Sequence, residues 1–546
     1  MGYHKEGSLA LALILQLSLI IDGRHNTGKP EYKTVAGRTR VSADSKPVEK
    51  DNSSACCSRG RVANYGPTVN IQHISQSQGI FPQLAVFADS AHKRSECGIG
   101  ALMPWLEKLY MVTYLSVPDG GNGTGLYSID KNMQLTKLAS HQSTFANRLI
   151  HKETSQIIIG PWIIDSKETI RTFSQLLHVR ITATAEHMEA PEIQVYMLDM
   201  DGPLWECDVI RLNCSQLYNL VDELKIPFNQ QPHFKAAHTM NGRLVVASNT
   251  FDENDLIGEQ HGGRLAEWQG TGKDWTILEN TAFVEVTGRR NLGQVIYAVG
   301  WDHRSVILKV FDGQTSDSQS DSKDPLNRGL WKTYRLPKAS HAYDHLWQTE
   351  WTRIREVETE RYLMDAHGMF YELSPLGWAG STWGIRPISQ HLRIVPDFTS
   401  YRGFLVLGGN QVSSIFDSNV VTGQSQSGLW FGKTDDLWAF GKPQGWGAVW
   451  RRDRVTKGKP SDPFLMTGFD KKVVHFIVHS DKAVHFTIEV DVTGTSGQLS
   501  GEDWQVMRRL TVDTYEYYSF RDGFTAHWVR VVANADCMAT VYFMYT

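Results

Sequence analysis

Cysteine is scarce and shows no metal-binding pattern: the 546 residues hold six, Cys56, Cys57, Cys97, Cys207, Cys214 and Cys537, with no CxxC spacing. That excludes a zinc cluster and leaves room for one or two disulfides. An excess of one charge sign is also missing. A formal net charge of -4 with 21% charged residues gives no bulk attraction to nucleic acid. The chain carries no GxGxxG, no phosphate loop, no nucleophilic Ser or Cys motif and no heptad pattern, so no nucleotide cofactor is expected. Long apolar runs are absent too. The longest, Ser8–Ile21, is fourteen residues behind a weakly basic head of His4 and Lys5; it is short for a membrane span and fits a secretory leader. Asp22 and Gly23 follow directly, with no small-residue cleavage site, which keeps an uncleaved N-terminal anchor as the alternative. Residues 22–75 are rich in Lys, Arg, Ser, Asn and Gly and poor in apolar periodicity, the composition of a tether that cannot bury enough surface to fold.

What is present is glycine and aromatic surface: 46 Gly with 17 Trp, 19 Tyr and 22 Phe, suited to short strands and tight turns. From residue 76 onward a unit recurs, a short alternating strand, a polar or glycine turn and a second strand carrying an aromatic. Its copies begin near residues 109, 195, 243, 295, 361, 404 and 472, the last being "VVHFIVHSDKAVHFTIEVD". Seven hairpins at this spacing predict an all-β chain whose residues 76–546 form a seven-bladed β-propeller. A two-sheet sandwich plus a second domain is the rival. The expected closure pairs "QLAVFA" (83–88) with the C-terminal "TVYFMY", because a toroid must join its first and last edges.

A propeller gathers loops from distant blades at its two ends, so ionisable groups at strand tips are the first candidates. "SHQSTFANRLIHKE" supplies His141, Arg148 and His151. "EHMEAPEIQVYMLDMDGPLWECDVIR" supplies His187, Tyr196 and Arg211. "FADSAHKRSECGIG" supplies His92, "QPHFKAAH" His233 and His238, "SHAYDHLWQTEWTRIREVETE" His341, Asp344, His345, Arg353 and Arg355, and "QHLRIVPDF" His391, Arg393 and Asp397. For each the bland alternative is a capped turn, a core residue or a paired strand face. His, Tyr and Arg without a nucleophile suit uronate chemistry: Arg neutralises the dianion formed when the proton beside a carboxylate is removed, and His or Tyr moves the proton.

The stretches "HKRSECGIGALMPW", "ANRLIHKE...IIIGPWIID", "GGRLAEW", "EVETERYLMD", "HLRIVPDF", "GLWFGKTDDLW" and "LMTGFD" resemble the β-propeller enzymes that act on L-rhamnose-α-1,4-D-glucuronate: polysaccharide lyases of family 42, the related hydrolases of glycoside hydrolase family 145 and, more distantly, ulvan lyases. The resemblance runs from about residue 80 to the end. It implies a secreted or periplasmic monomer cleaving an acidic, arabinogalactan-type glycan by β-elimination, with His151 on the carboxylate, Tyr196 exchanging protons and Arg211 clamping the acid. His141, Arg148, His187 and His233 would bind substrate. Alternatively His92 would serve hydrolysis as an α-L-rhamnosidase, and a third reading is a non-catalytic lectin for acidic glycans. No cofactor is required; a channel calcium ion is compatible with the relatives, though no spacing here is diagnostic of one. The sequons at Asn52, Asn122 and Asn213 carry no functional information.

Overall fold

Apolar and polar residues alternate into strands wherever a tight turn follows, and the turns fix the register. Asn241–Gly242 and Arg402–Gly403 each place two successive residues at positive φ, the geometry of a two-residue hairpin whose twist matches its strands. Their flanking residues pair directly, Met240 with Arg243 and Tyr401 with Phe404. The computed structural model describes residues 87–88, 96–115, 121–252, 262–289, 295–312, 331–339, 351–374, 384–391, 393–412, 428–494 and 504–546, all inside the unit Thr68–Thr546. Strands dominate; among the described residues the helical turns are Ser174–Leu176, Leu220–Glu223 and Thr434–Phe440.

Successive antiparallel meanders follow one another along the chain. Their inner strands are Glu96–Trp105, Arg148–His151, Ile181–Glu186, Phe234–Met240, Ala282–Arg289, Arg353–Glu358 and Phe398–Tyr401, each opening its own sheet. Each inner strand touches the inner strand of the next sheet, and Phe398–Tyr401 returns to Glu96–Trp105. The sheets thus stand radially, as in the β-propeller class. Apolar residues therefore pack in slices between neighbouring sheets. One slice holds Ile157, Ile163, Val195 and Met197, the next Tyr196, Leu198, Val246 and Trp268. Gly100 marks how tightly the first two sheets meet: a Cβ there would lie 1.8 Å from the Phe145 carbonyl oxygen.

Six of the expected hairpins sit in these meanders. The seventh does not. Lys472–His479 and Val484–Asp491 belong to different sheets, so the segment is an arch across a sandwich. One sheet runs in the order Gly445–Val455, Cys537–Tyr545, Lys472–His479, Tyr515–Ser519; the other runs Phe464–Leu465, Trp528–Ala533, Val484–Asp491, Trp504–Val512. The expectation that meanders continue to residue 546 is corrected accordingly: residues 445–546 build this two-sheet unit. The place in the ring is taken by Arg148–Thr172, whose "IIIGPWIID" is two strands turning at Gly160–Pro161. Closure is corrected as well. The C-terminal strand lies between two sandwich strands, whereas Phe87–Ala88 pairs with Gly121–Asn122 and Glu96–Gly98 pairs with Asn410–Val412.

Sandwich and ring share one core. Val299, Leu308 and Met364 of two meanders cluster with Trp528, Phe464 and Phe543. Arg335 beside this seam bonds both oxygens of Asp302, at 3.1 and 3.0 Å, and Asp462 at 2.8 Å. Burial opposes the charges, but the paired opposite charges win, holding the Asp302 carboxyl far below and the Arg335 guanidinium above their ordinary values.

Candidate functional site

Inner strands of a ring expose alternate residues toward its centre, where an unpaired charge would be costly unless a partner stands opposite. Here the chain places charges and partners together. A cavity of about 220 Å³ is lined by residues 146–149, 182–184, 235–238, 285–287 and 353–356 of five inner strands or their immediate approaches, together with Tyr362. That is about seven water volumes, room for a small anionic group rather than a polymer.

Around it runs an alternating chain of charges. Asp397, fully buried, accepts the Leu102 N–H at 2.8 Å and Arg355 Nε at 2.8 Å, with Arg148 at 3.5 Å. Arg148 also donates to the Leu102 carbonyl. Glu285 accepts Arg355 at 2.7 Å and Arg353 at 3.1 Å, and Arg353 Nε donates to the Pro396 carbonyl at 2.8 Å. Lys235 Nζ stands 3.3 Å from the centre of the Trp351 ring, with the Arg353 guanidinium at 4.9 Å, both in cation–π geometry.

These contacts set the protonation states. Burial lowers Arg148 to about 10, which keeps it cationic near neutrality, and burial also lowers Arg353. Burial works against Arg355 and Asp397 as well, but Asp397 and Glu285 outweigh it and raise Arg355, while Arg148 and Arg355 lower Asp397. Among the described residues, four basic side chains (Arg148, Lys235, Arg353, Arg355) and two buried acidic ones, Glu285 and Asp397, gather about the cavity. Glu356 also borders the cavity, exposed, and accepts the Glu360 N–H at 2.8 Å. His238 and Tyr362 complete the relevant lining. Gly288 leaves space for the His238 ring: a Cβ there would lie 2.9 Å from His238 Nε2.

Of the residues expected from sequence, Arg148, His238, Arg353 and Arg355 line this cavity, and Asp397 pairs with two of them. His151 is buried with both ring nitrogens engaged, Nδ1 accepting from the Thr154 hydroxyl at 2.7 Å and Nε2 donating to the Pro191 carbonyl at 2.8 Å. Tyr196 is packed between sheets, stacked on His187 at 4.4 Å and edge-on to Trp268; burial pushes its hydroxyl up to about 12. Arg211 stands exposed on the 208–213 turn, where its N–H bonds Asp208 at 2.8 Å. The grouping of His151, Tyr196 and Arg211 about one uronate is therefore corrected: two are sealed by protein contacts and the third is on an outer turn. His187 accepts two backbone N–H groups and donates to Glu206 at 3.0 Å, His141 accepts the Ser143 N–H at 3.1 Å, and His233 donates to Asn249 at 2.8 Å; none of the three lines the cavity. His92, His341, Asp344 and His345 lie outside the described residues, as do the leader and tether. Among the described residues no group of three or more His, Cys, Asp and Glu is arranged to hold a metal, and no helix is long and apolar enough to cross a membrane.

Lys235, Glu285 and Trp351 escaped the reading of the sequence. For Lys235 and Glu285 the signal was a charge set in an apolar alternating strand, "HFKAAH" and "AFVEVT", which is costly unless paired or used.

No family model and no curated protein matches the chain. Among solved structures it is similar to the β-propeller domain of Myceliophteria thermophila Cps50 (Swd1), at 12% identity and TM-score 0.35, covering 58% of this chain and 98% of that one. It is likewise similar to the WD40 repeats of RRP9, at 10% identity and TM-score 0.38, covering 64% and 99%, and to U3-55K, at 10% identity and TM-score 0.35, covering 64% and 98%.

Proposed function

We propose that the chain is a secreted, seven-bladed β-propeller that takes the uronate of a rhamnose-glucuronate glycan into its central cavity. The observation that carries the reading is the cation-rich lining: Arg148, Arg353, Arg355 and Lys235 around one small cavity. Counting each meander as one blade gives seven. Guanidinium forks match a carboxylate, and in a low-dielectric setting they stabilise it strongly. The stretches that resemble the rhamnose-glucuronate enzymes supply the sugar class. The disulfide joining Cys207 to Cys214 supports an oxidising compartment.

Cleavage is the activity proposed at this cavity, by β-elimination through residues other than those first expected. His238 and Tyr362 border the same space as the cations. In that step a base removes the proton on C5, the C5 electron pair forms the C4–C5 double bond, and the bond from C4 to its oxygen breaks as that oxygen takes a proton from an acid. Arg neutralises the charge gathered on the carboxylate meanwhile. Binding without cleavage is the second reading, favoured by the cavity's charge balance alone.

The test uses the disaccharide rhamnosyl-glucuronate, small enough to engage the cavity only. Binding by calorimetry is expected, weakened about tenfold in Lys235→Met, since one lost cation contact is worth on the order of 1.4 kcal/mol. Ultraviolet absorbance of an unsaturated uronate would mark elimination, released rhamnose without it hydrolysis, and binding alone a lectin. No binding in the native protein sinks the proposal.

A further inference from the structure

The outer face of the sandwich sheet built on Cys537–Tyr545 is not what an idle surface looks like. A sheet face turned to water ordinarily alternates to polar residues. Here Tyr515 and Tyr517 are 54% and 55% exposed and Met544 51%. The register puts Tyr517, His475 and Tyr542 in one row across three strands, with Tyr515 in the next. The His475 ring lies 6.2 Å from that of Tyr515 and 6.3 Å from that of Tyr517, at interplanar angles of 19° and 31°. Its Nδ1 meets the Tyr515 hydroxyl at 3.0 Å, which fixes the two rings relative to one another. The result is a flat aromatic platform with polar tips.

Charge identifies the occupant. At one end the register places Arg454 beside Met538 and His479 on the same face, and among the described residues of these rows there is no carboxylate. A second copy of the chain would set this face against itself, since a two-fold interface is self-complementary, and would bring no counter-charge to Arg454. An acidic polysaccharide supplies both needs: sugar rings lay their C–H faces on the tyrosines, hydroxyls and imidazole accept or donate at the edges, and carboxylates meet the cationic end. We infer that this face is a second, non-catalytic binding surface for an extended acidic glycan, holding the polymer while the ring's cavity engages a single residue of it. The polymer class rests on the function proposed above; the surface itself rests on the exposed rings.

Native electrophoresis through gels containing gum arabic, with dextran gels as the neutral control, tests it on the full chain. Gum arabic is expected to retard the native protein, and Tyr515→Ala/Tyr517→Ala to weaken that retardation about tenfold while disaccharide binding in the cavity stays unchanged. Tyr515→Trp/Tyr517→Trp keeps aromatic surface and is expected to keep the retardation, which separates lost stacking from lost folding. Lys235→Met, which weakens the cavity, is expected to be retarded like the native protein, so failure of the cavity reading leaves this one standing. Undiminished retardation of the double Ala variant overturns the inference. So does equal retardation by dextran, or a native dimer that the double Ala variant converts to monomer.

Discussion

Three histidines illustrate what the interior does to a single titratable group. Burial lowers His141 to about 3 and His527 to about 4, and holds His233 well below its usual value. In the unfolded chain each takes a proton near pH 6.5. The unfolded state therefore binds more protons between the two values, and stability falls as pH drops from about 6.5, by up to about 1.4 kcal/mol per pH unit for each neutral histidine. Asp397 adds a lower window. Its folded value is depressed, so its contribution is complete above about pH 4 and fades below that. Denaturant unfolding followed from pH 8 to 4 is expected to show a loss beginning near 6.5; a flat profile would mean that these rings are protonated in place. Asp397→Asn should lower stability at neutral pH, because Arg148 and Arg355 lose a buried counter-charge. At this scale Arg148, Arg353, Arg355 and Asp397 were legible as ionisable residues in strand contexts. Their convergence was not, since it depends on which sheets are neighbours, and no local pattern encodes that.

Within single elements the sequence was most readable where turn chemistry and alternation agreed, as at Asn241–Gly242 between two apolar runs. It misled where one pattern serves two folds: "VVHFIVHSDKAVHFTIEVD" alternates like a hairpin, yet its strands sit in facing sheets, because both present an apolar side to a shared interior. "IIIGPWIID" hid a hairpin inside what reads as one buried strand, since strands apolar on both faces lose the alternation that separates them. The 208–213 turn carries its own constraint. Cys207 and Cys214 pair directly across it and are joined, closing a loop short enough that the cross-link is worth about 2–3 kcal/mol in the chain-entropy account. Cys207→Ser/Cys214→Ser is expected to lower the unfolding free energy by that order and to abolish the difference between reducing and non-reducing conditions. A variant as stable as the parent would show that the turn is held by Asp208 and its N–H contacts alone.

Among the described residues the ring and the sandwich share one core, which predicts that they unfold as one unit. A sandwich appended by a linker would carry its own core, but the Trp528 and Tyr334 rings meet at 4.7 Å, tilted by 37°, across the seam, and a single cluster joins Val299 and Met364 to Phe486 and Val531. Phe464 extends the ring's fifth sheet by pairing with Arg335, whose buried ion pair with Asp302 and half-exposed one with Asp462 link the two parts. Removing one member of such a buried set leaves an uncompensated charge, at a cost of about 3–5 kcal/mol. Calorimetry of the intact chain is therefore expected to give one cooperative transition. Asp302→Ala should move that transition down as a whole, and a chain cut after residue 443 should fail to fold, exposing the faces that the sandwich covers. Two separate transitions, with the mutation displacing one of them, would instead mean that ring and sandwich fold independently and that the seam adds little to either.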